Sequence, residues 1–391
     1  VARGGGSGGG WGGDDLDLDL DPTMPPGGGL GDELGGGGVG GADPDEAGGG
    51  WEMEDALELP DMPALPASGG AGAGYFAAPT SGQSAADRWA RDSPLAADHF
   101  AAGSFDSGMA MLQRQLGIIN FAPLKPYALA LAGASHALRH GPVSTPPVLT
   151  PLTREGTAPR NGGTLPALSI TLPTLVERLR LGYTSTTGGK FVEALGHFRF
   201  VLQAITLCAV DSRKAVAELK ELQSICKEYI TAIQIELARK EATEPKRQAE
   251  LSAYFTHCQM QPAHAILSLR SAMTVAYKMR NFNAAASFSR RLLDLHPKAE
   301  IATQARKVLQ LCEQNPGDAV PLEYDDRNPF VVCNASFTPI YKGSKLERCS
   351  YCGAAYKPEN KGRLCDVCNL GEAGGEATGL VCYANQLTDV D

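Results

Sequence analysis

The stretch "CSYCGAAYKPENKGRLCDVC", residues 349–368, holds the side chains most able to do chemistry in this chain. Cys349, Cys352, Cys365 and Cys368 follow C-x2-C-x12-C-x2-C. This is the spacing at which two knuckles face one tetrahedral ion, with zinc the usual occupant. Two intervening residues let both thiolates of a knuckle reach the same ion, and Gly353 supplies the loose φ that such a turn favours. Four thiolates complete the shell, so no position remains for an activated water. The expected zinc is therefore a structural clip that lets a small module fold without a large core of its own.

Other groups invite chemistry less strongly. In "AYFTHCQMQPAHAIL", residues 253–267, His257, Cys258 and His264 stand close together, which suggests a Cys-His hydrolase. Such a site also needs an orienting third group and an oxyanion site, and neither has a sequence signal. The competing reading has these histidines pinning a turn between two helices. Cys208, Cys226 and Cys312 fall on apolar helical faces, where cysteine behaves as a small hydrophobe. Lys342, Lys345, Arg348, Lys357, Lys361 and Arg363 surround the knuckles, but Glu347, Glu359 and Asp366 interrupt them without interleaved aromatics. A zinc-ribbon nucleic-acid adaptor with a helical body is thus the alternative reading, separable by the steep salt dependence of phosphate binding. Neither a Walker sequence nor a dinucleotide fingerprint in strand–helix context occurs.

The elements that must position these groups follow from composition. The chain has 391 residues, ten cysteines, 46 glycines and a formal charge of −9. That charge is unevenly spread: residues 1–66 carry fifteen acids and one base, leaving the rest net positive. Residues 1–85, rich in Gly and Pro, have too little apolar surface to offset the entropy of ordering and are expected to be a disordered acidic linker. Within it, Trp11 before "DDLDLDLD" and Trp51 before "EMEDALELPDMP" form a repeated acidic-aromatic pattern. It is either a solvated spacer or a pair of docking motifs. No stretch has the roughly twenty apolar residues of a membrane span, and no signal-like segment opens the chain. The expected compartment is the cytosol, where cysteines are thiols or metal ligands.

From Ala86 the chain reads as folded. Ser104 as N-cap, Met109, Leu112 and Leu116 as an apolar series, and Gly117 as the stop predict a helix. Residues 122–170, rich in Pro, Gly and Thr, read as an extended crossing segment. Residues 172–316 read as six to eight helices in a helical-repeat, α-solenoid body. Leu181, Gly182, Gly189, Ala194 and Phe198 occupy the spacing of a tetratricopeptide helix pair. Phe282, Ala285 and Pro297 echo it 91 residues after Phe191 and Ala194. After Pro316, "RNPFVVCNASFTPIYKG" alternates as strands do. The expected domains are the linker (1–85), a mainly α body (86–320) and a small β, zinc-ribbon-like module (321–391), body and module having separate cores joined near Pro316.

The blocks "DHFAAGSFDSGMAMLQRQLGIINFAPLK", "LGYTSTTGGKFVEALGHFR", "AYFTHCQMQPAHAILSLR", "KMRNFNAAASFSRRLLDLHPK" and "NPFVVCNASFTPIYKG" resemble, in order, the C-terminal region of the coatomer alpha-subunit family across about residues 86–391. The resemblance implies a non-enzymatic scaffold of a vesicle coat in Golgi-to-ER retrograde and intra-Golgi transport. It implies contact with the epsilon subunit and other coatomer subunits, and with the Golgi membrane only through the coat. It implies neither a small-molecule substrate nor nucleic acid, and places the chain in the cytoplasm, peripheral to Golgi membranes. The family's cargo-reading propellers have no counterpart in this sequence.

Overall fold

The computed structural model describes residues 82, 84–140, 147–154 and 164–387. The expected linker, with Trp11 and Trp51, lies outside the described residues apart from its last few positions. The first helices are α1 (Ala85–Asp92), α2 (Ala96–Ala101) and α3 (Phe105–Leu116). Ser84 caps α1 by accepting from the Asp87 amide. α3 runs between the expected boundaries: Ser104 precedes it, and Gly117 ends it at φ +63°, its amide bonded to the Gln113 carbonyl.

The crossing segment differs from expectation, because α4 (Lys125–Ala134) lies inside it. Pro126 sits in the first turn, where a missing N–H costs nothing, and "ALALAGA" then sustains the helix. Averaged over 122–170, the surrounding Pro, Gly and Thr conceal these ten residues. Directly after α4 comes a hairpin of β1 (His136–Arg139) and β2 (Val148–Pro151), antiparallel with Leu138 opposite Leu149. The short pair β3 (Thr153–Arg154) and β4 (Leu165–Pro166) follows, and Arg154 forms an ion pair with the fully buried Asp98 of α2.

Seven helices then run in sequence: α5 (Leu172–Thr187), α6 (Phe191–Ala204), α7 (Arg213–Glu241), α8 (Pro245–Phe255), α9 (Pro262–Lys278), α10 (Phe282–Asp294) and α11 (Ala299–Gln314). Each packs on the next. In the α5–α6 pair the repeat spacing is realised in contact: Gly182 lies under the Phe198 ring, where a Cβ would sit 3.0 Å from it, and Ala194 and Phe198 are fully buried. Leu181 departs from the pattern and is half exposed. Gly189 turns the chain into α6 at φ +71°, and Arg280 takes the matching place before α10 at φ +59°.

The terminal module has two small hairpins, β5 (Phe330–Val332) with β6 (Pro339–Tyr341) and β7 (Glu347–Arg348) with β8 (Ala355–Tyr356). The expectation of two separate cores is corrected here. One apolar cluster runs from Leu116, Ile118, Leu202, Cys226 and Tyr229 of the helical part to Tyr351, Tyr356, Val367 and Leu370 of the module. A second joins Phe330 and Val332 to Tyr254 and Phe255 of α8. The physical reason is area: the module buries its apolar side chains against helices because its two-residue and three-residue strands cannot enclose them.

Candidate metal centre

The four predicted cysteines come together at the junction of module and body. Their sulfurs all lie within 4.8 Å of one another, and all four residues are buried. Cys349 Sγ is 3.7 Å from Cys368 Sγ, and Cys352 Sγ is 3.5 Å from Cys365 Sγ, so each close pair bridges the two knuckles. Four sulfurs at the usual zinc distance of about 2.3 Å would stand about 3.8 Å apart in a tetrahedron. The separations exceed a disulfide bond of about 2.05 Å by far. The donor set therefore fits a soft or borderline divalent ion.

The two knuckles share one backbone device. Gly353 and Asn369, each directly after the second cysteine of its pair, adopt positive φ, +72° and +59°. Each returns its amide to the carbonyl of the first cysteine: Gly353 N to Cys349 O at 3.1 Å, and Asn369 N to Cys365 O at 2.9 Å. Open space surrounds the Gly353 Cα, so the φ angle and not crowding calls for glycine there. Asparagine tolerates the same region. Asn369 is the functional residue that sequence reasoning missed, and its position after a Cys-x-x-Cys is the signal that could have found it.

Electrostatics favour a cation. Hydrogen bonds from the neighbouring Cys349, Cys352 and Cys368 thiols, helped by the Tyr356 hydroxyl at 3.2 Å, hold the Cys365 thiol far below the usual thiol range. Burial, with hydrogen bonds to the Cys349, Cys365 and Cys368 thiols, pushes Cys352 well above it, and hydrogen bonding to Cys349, joined by Cys365 and burial and opposed by Cys352, does the same to Cys368. A divalent ion held by such a cluster favours thiolate over thiol.

Helical side chains seat both knuckles. From α6, Arg199 Nη2 donates to the Asp366 carbonyl (3.0 Å) and Gln203 Nε2 to the Cys368 carbonyl (3.1 Å). From α7, Gln223 Nε2 donates to the Tyr351 carbonyl (2.6 Å) and Gln234 Nε2 to the Asp366 carbonyl (3.0 Å). Tyr351, buried against the helices, donates its hydroxyl to the Leu202 carbonyl. The connection between α3 and α4 supplies three more donors: the Ile119 and Asn120 amides to the Leu370 carbonyl, and Asn120 Nδ2 to the Asn369 carbonyl.

The Cys-His pair does not form a dyad. The His257 ring meets the Tyr324 hydroxyl at 2.9 Å and Arg291 Nη1 at 3.3 Å, while burial pushes the Cys258 thiol up, away from thiolate. His264 pins helices, as expected of a histidine at such a turn: Nδ1 lies 2.8 Å from the Tyr229 hydroxyl and Nε2 2.9 Å from Thr187 Oγ1. Cys208, Cys226 and Cys312 are buried, with burial raising Cys208 to about 12 and Cys312 to about 11.

Comparison with known proteins gives this architecture its family. The family model for the C-terminus of the coatomer (COPI) alpha subunit matches residues 2–388. The chain is 45% identical over 344 residues to the coatomer subunit alpha of Dictyostelium discoideum, which covers 85% of this chain and 28% of that protein. It is 44% identical over 343 residues to coatomer subunit alpha-1 of Arabidopsis thaliana, covering 87% and 28% respectively. With coatomer subunit alpha of Saccharomyces cerevisiae it shares 28% identity over 295 residues, 75% of this chain and 24% of that one. The chain thus spans about 28% of the length of the first two of these relatives. A family model spanning nearly every residue, with relatives at this identity, shows that the chain belongs to the family of C-terminal regions of the coatomer alpha subunit.

Proposed function

We propose that this chain is the coat-scaffold region that holds the epsilon subunit, acting by association through a pre-formed surface with no bond made or broken. The observation that supports this most is the β1–β2 hairpin. Leu138, Val148 and Leu149 are 55%, 62% and 61% exposed, on strands that pair only with each other among the described residues. Leu129 of the preceding α4 adds a fourth exposed apolar side chain at 56%. An apolar, edge-open projection of this kind suits the groove of a helical-repeat partner, and the family resemblance supplies epsilon as that partner. The remaining subunits of coatomer complete the coat. The chain works in the cytoplasm and meets Golgi membranes through the assembled coat, serving retrograde and intra-Golgi transport. Among the described residues no helix is long and apolar enough to cross a membrane.

The ion at Cys349, Cys352, Cys365 and Cys368 is zinc, and its role is structural. Tyr351 and Tyr356, the aromatics nearest the sulfurs, are buried, which leaves no stacking platform there for bases.

Co-expression of residues 86–391 with the epsilon subunit, followed by size-exclusion and metal analysis, tests both statements. The expected peak is a one-to-one complex with about one zinc per chain, as a single four-thiolate site requires. Leu138→Asp with Leu149→Asp should abolish the complex while leaving helical circular dichroism unchanged. A doubly substituted chain that still co-elutes would sink the hairpin as the docking element. Zinc without epsilon, together with steeply salt-dependent oligonucleotide binding, would favour the nucleic-acid adaptor instead.

A further inference from the structure

Gln203 stands between the four-cysteine centre and the helix that carries the hairpin. It is 8% exposed. Its Nε2 donates to the carbonyl of Cys368 at 3.1 Å, and its Oε1 accepts from the Tyr127 hydroxyl of α4 at 3.4 Å. Tyr127 also packs edge-on against Phe200, one turn from Gln203 on α6, with ring centroids 5.2 Å apart. Just before α4, the chain is held by the same knuckle, through Ile119 and Asn120 to the carbonyls of Asn369 and Leu370. Three successive carbonyls, beginning at a metal ligand, therefore take the donors that fix α4. Just after α4, the Ser135 hydroxyl donates to the Ala101 carbonyl, and its own carbonyl receives the Leu152 amide, so the position of α4 sets the base of the hairpin.

We infer that Gln203 is a positioning residue that couples metal occupancy at the four cysteines to the mobility of α4 and the β1–β2 hairpin. A bound ion fixes the Cys368 sulfur and hence the carbonyl on the same residue. When the ion leaves, the knuckle is free to open, Gln203 loses its acceptor, and the Tyr127 contact has no fixed partner. Because coupling between two sites is reciprocal, loosening α4 also speeds metal release. The inference rests on the zinc reading above, and the following measurement separates failure of the one from failure of the other.

Hydrogen exchange of residues 125–139 and 148–151 is followed in the full chain with zinc bound and after chelation, for the native protein, Gln203→Met and Gln203→Glu. Methionine keeps the volume without hydrogen bonds. Glutamate keeps an acceptor for Tyr127 and loses the donor to Cys368. Chelation should raise exchange in these segments of the native chain by about fivefold to tenfold, the scale of one buried hydrogen bond. In zinc-loaded Gln203→Met part of the rise should already be present, with a smaller increment on chelation than in the native chain and a faster zinc release. If both variants, zinc-loaded and with native helical circular dichroism, exchange as the native chain does, the coupling is wrong. It is equally wrong if chelation adds the same increment in variant and native protein. A chain that takes up no zinc on titration removes the metal reading and the coupling with it.

Discussion

At the scale of single residues, the knuckles depend on two backbone angles as much as on four sulfurs. Gly353→Val puts a β-branched side chain at φ +72°, where the left-handed region costs a non-glycine residue about 1–2 kcal/mol. A lower melting temperature with faster zinc release is the expected outcome, read by calorimetry and a chromogenic chelator. His264 gives a pH prediction. Burial lowers its pKa, and its ring hydrogen-bonds to Tyr229 and Thr187. A buried base with a depressed pKa stays neutral in the folded chain while the unfolded chain protonates from about pH 6.5 downward. Stability contributed here is full above that pH and is lost as pH falls toward the folded pKa. Urea midpoints measured from pH 7.5 to 5 should decline, and the decline should be shallower in His264→Gln.

Between elements, the contact of α5 with α6 leaves little room. Gly182→Val drives a side chain into the Phe198 ring, and overpacking of this kind costs about 1–3 kcal/mol. Arg280→Gly relieves a positive φ and should stabilise by about 1 kcal/mol or less, since glycine loses more entropy on folding. Both are measured by denaturant midpoint. These helices were legible in the sequence because small residues at repeat spacing and an aromatic knob pointed the same way at Gly182, Ala194 and Phe198. The hairpin and α4 were not. A ten-residue helix opening on proline leaves a weak periodic trace, and exposed Leu138, Val148 and Leu149 carry no alternation to mark a strand because the chain's own core does not cover them. The gathering of Cys349, Cys352, Cys365 and Cys368 was legible from spacing alone. Their seat was not, since Gln203, Gln223 and Gln234 are spaced as any surface glutamines of α6 and α7 would be.

At the scale of the whole molecule, helical part and module share an apolar core and a set of side-chain to carbonyl bonds. Cys349→Ser with Cys352→Ser should therefore lower the stability of both. Thermal melts followed by helical circular dichroism should show one transition moved down by many degrees, in step with metal loss. A helical transition that stays in place while zinc is lost would show that the body holds itself without the module.

The bond from Asn120 to Asn369 spans 249 residues of chain. During synthesis at about 5–20 residues per second, the seat of α4 therefore waits roughly 10–50 s for its other half. The bridge from Ile118 to Gly371 waits equally long. Maturation of this region comes late, and a nonsense change just before Leu370 should send to degradation a polypeptide whose solenoid is finished and whose α4 never gains its seat.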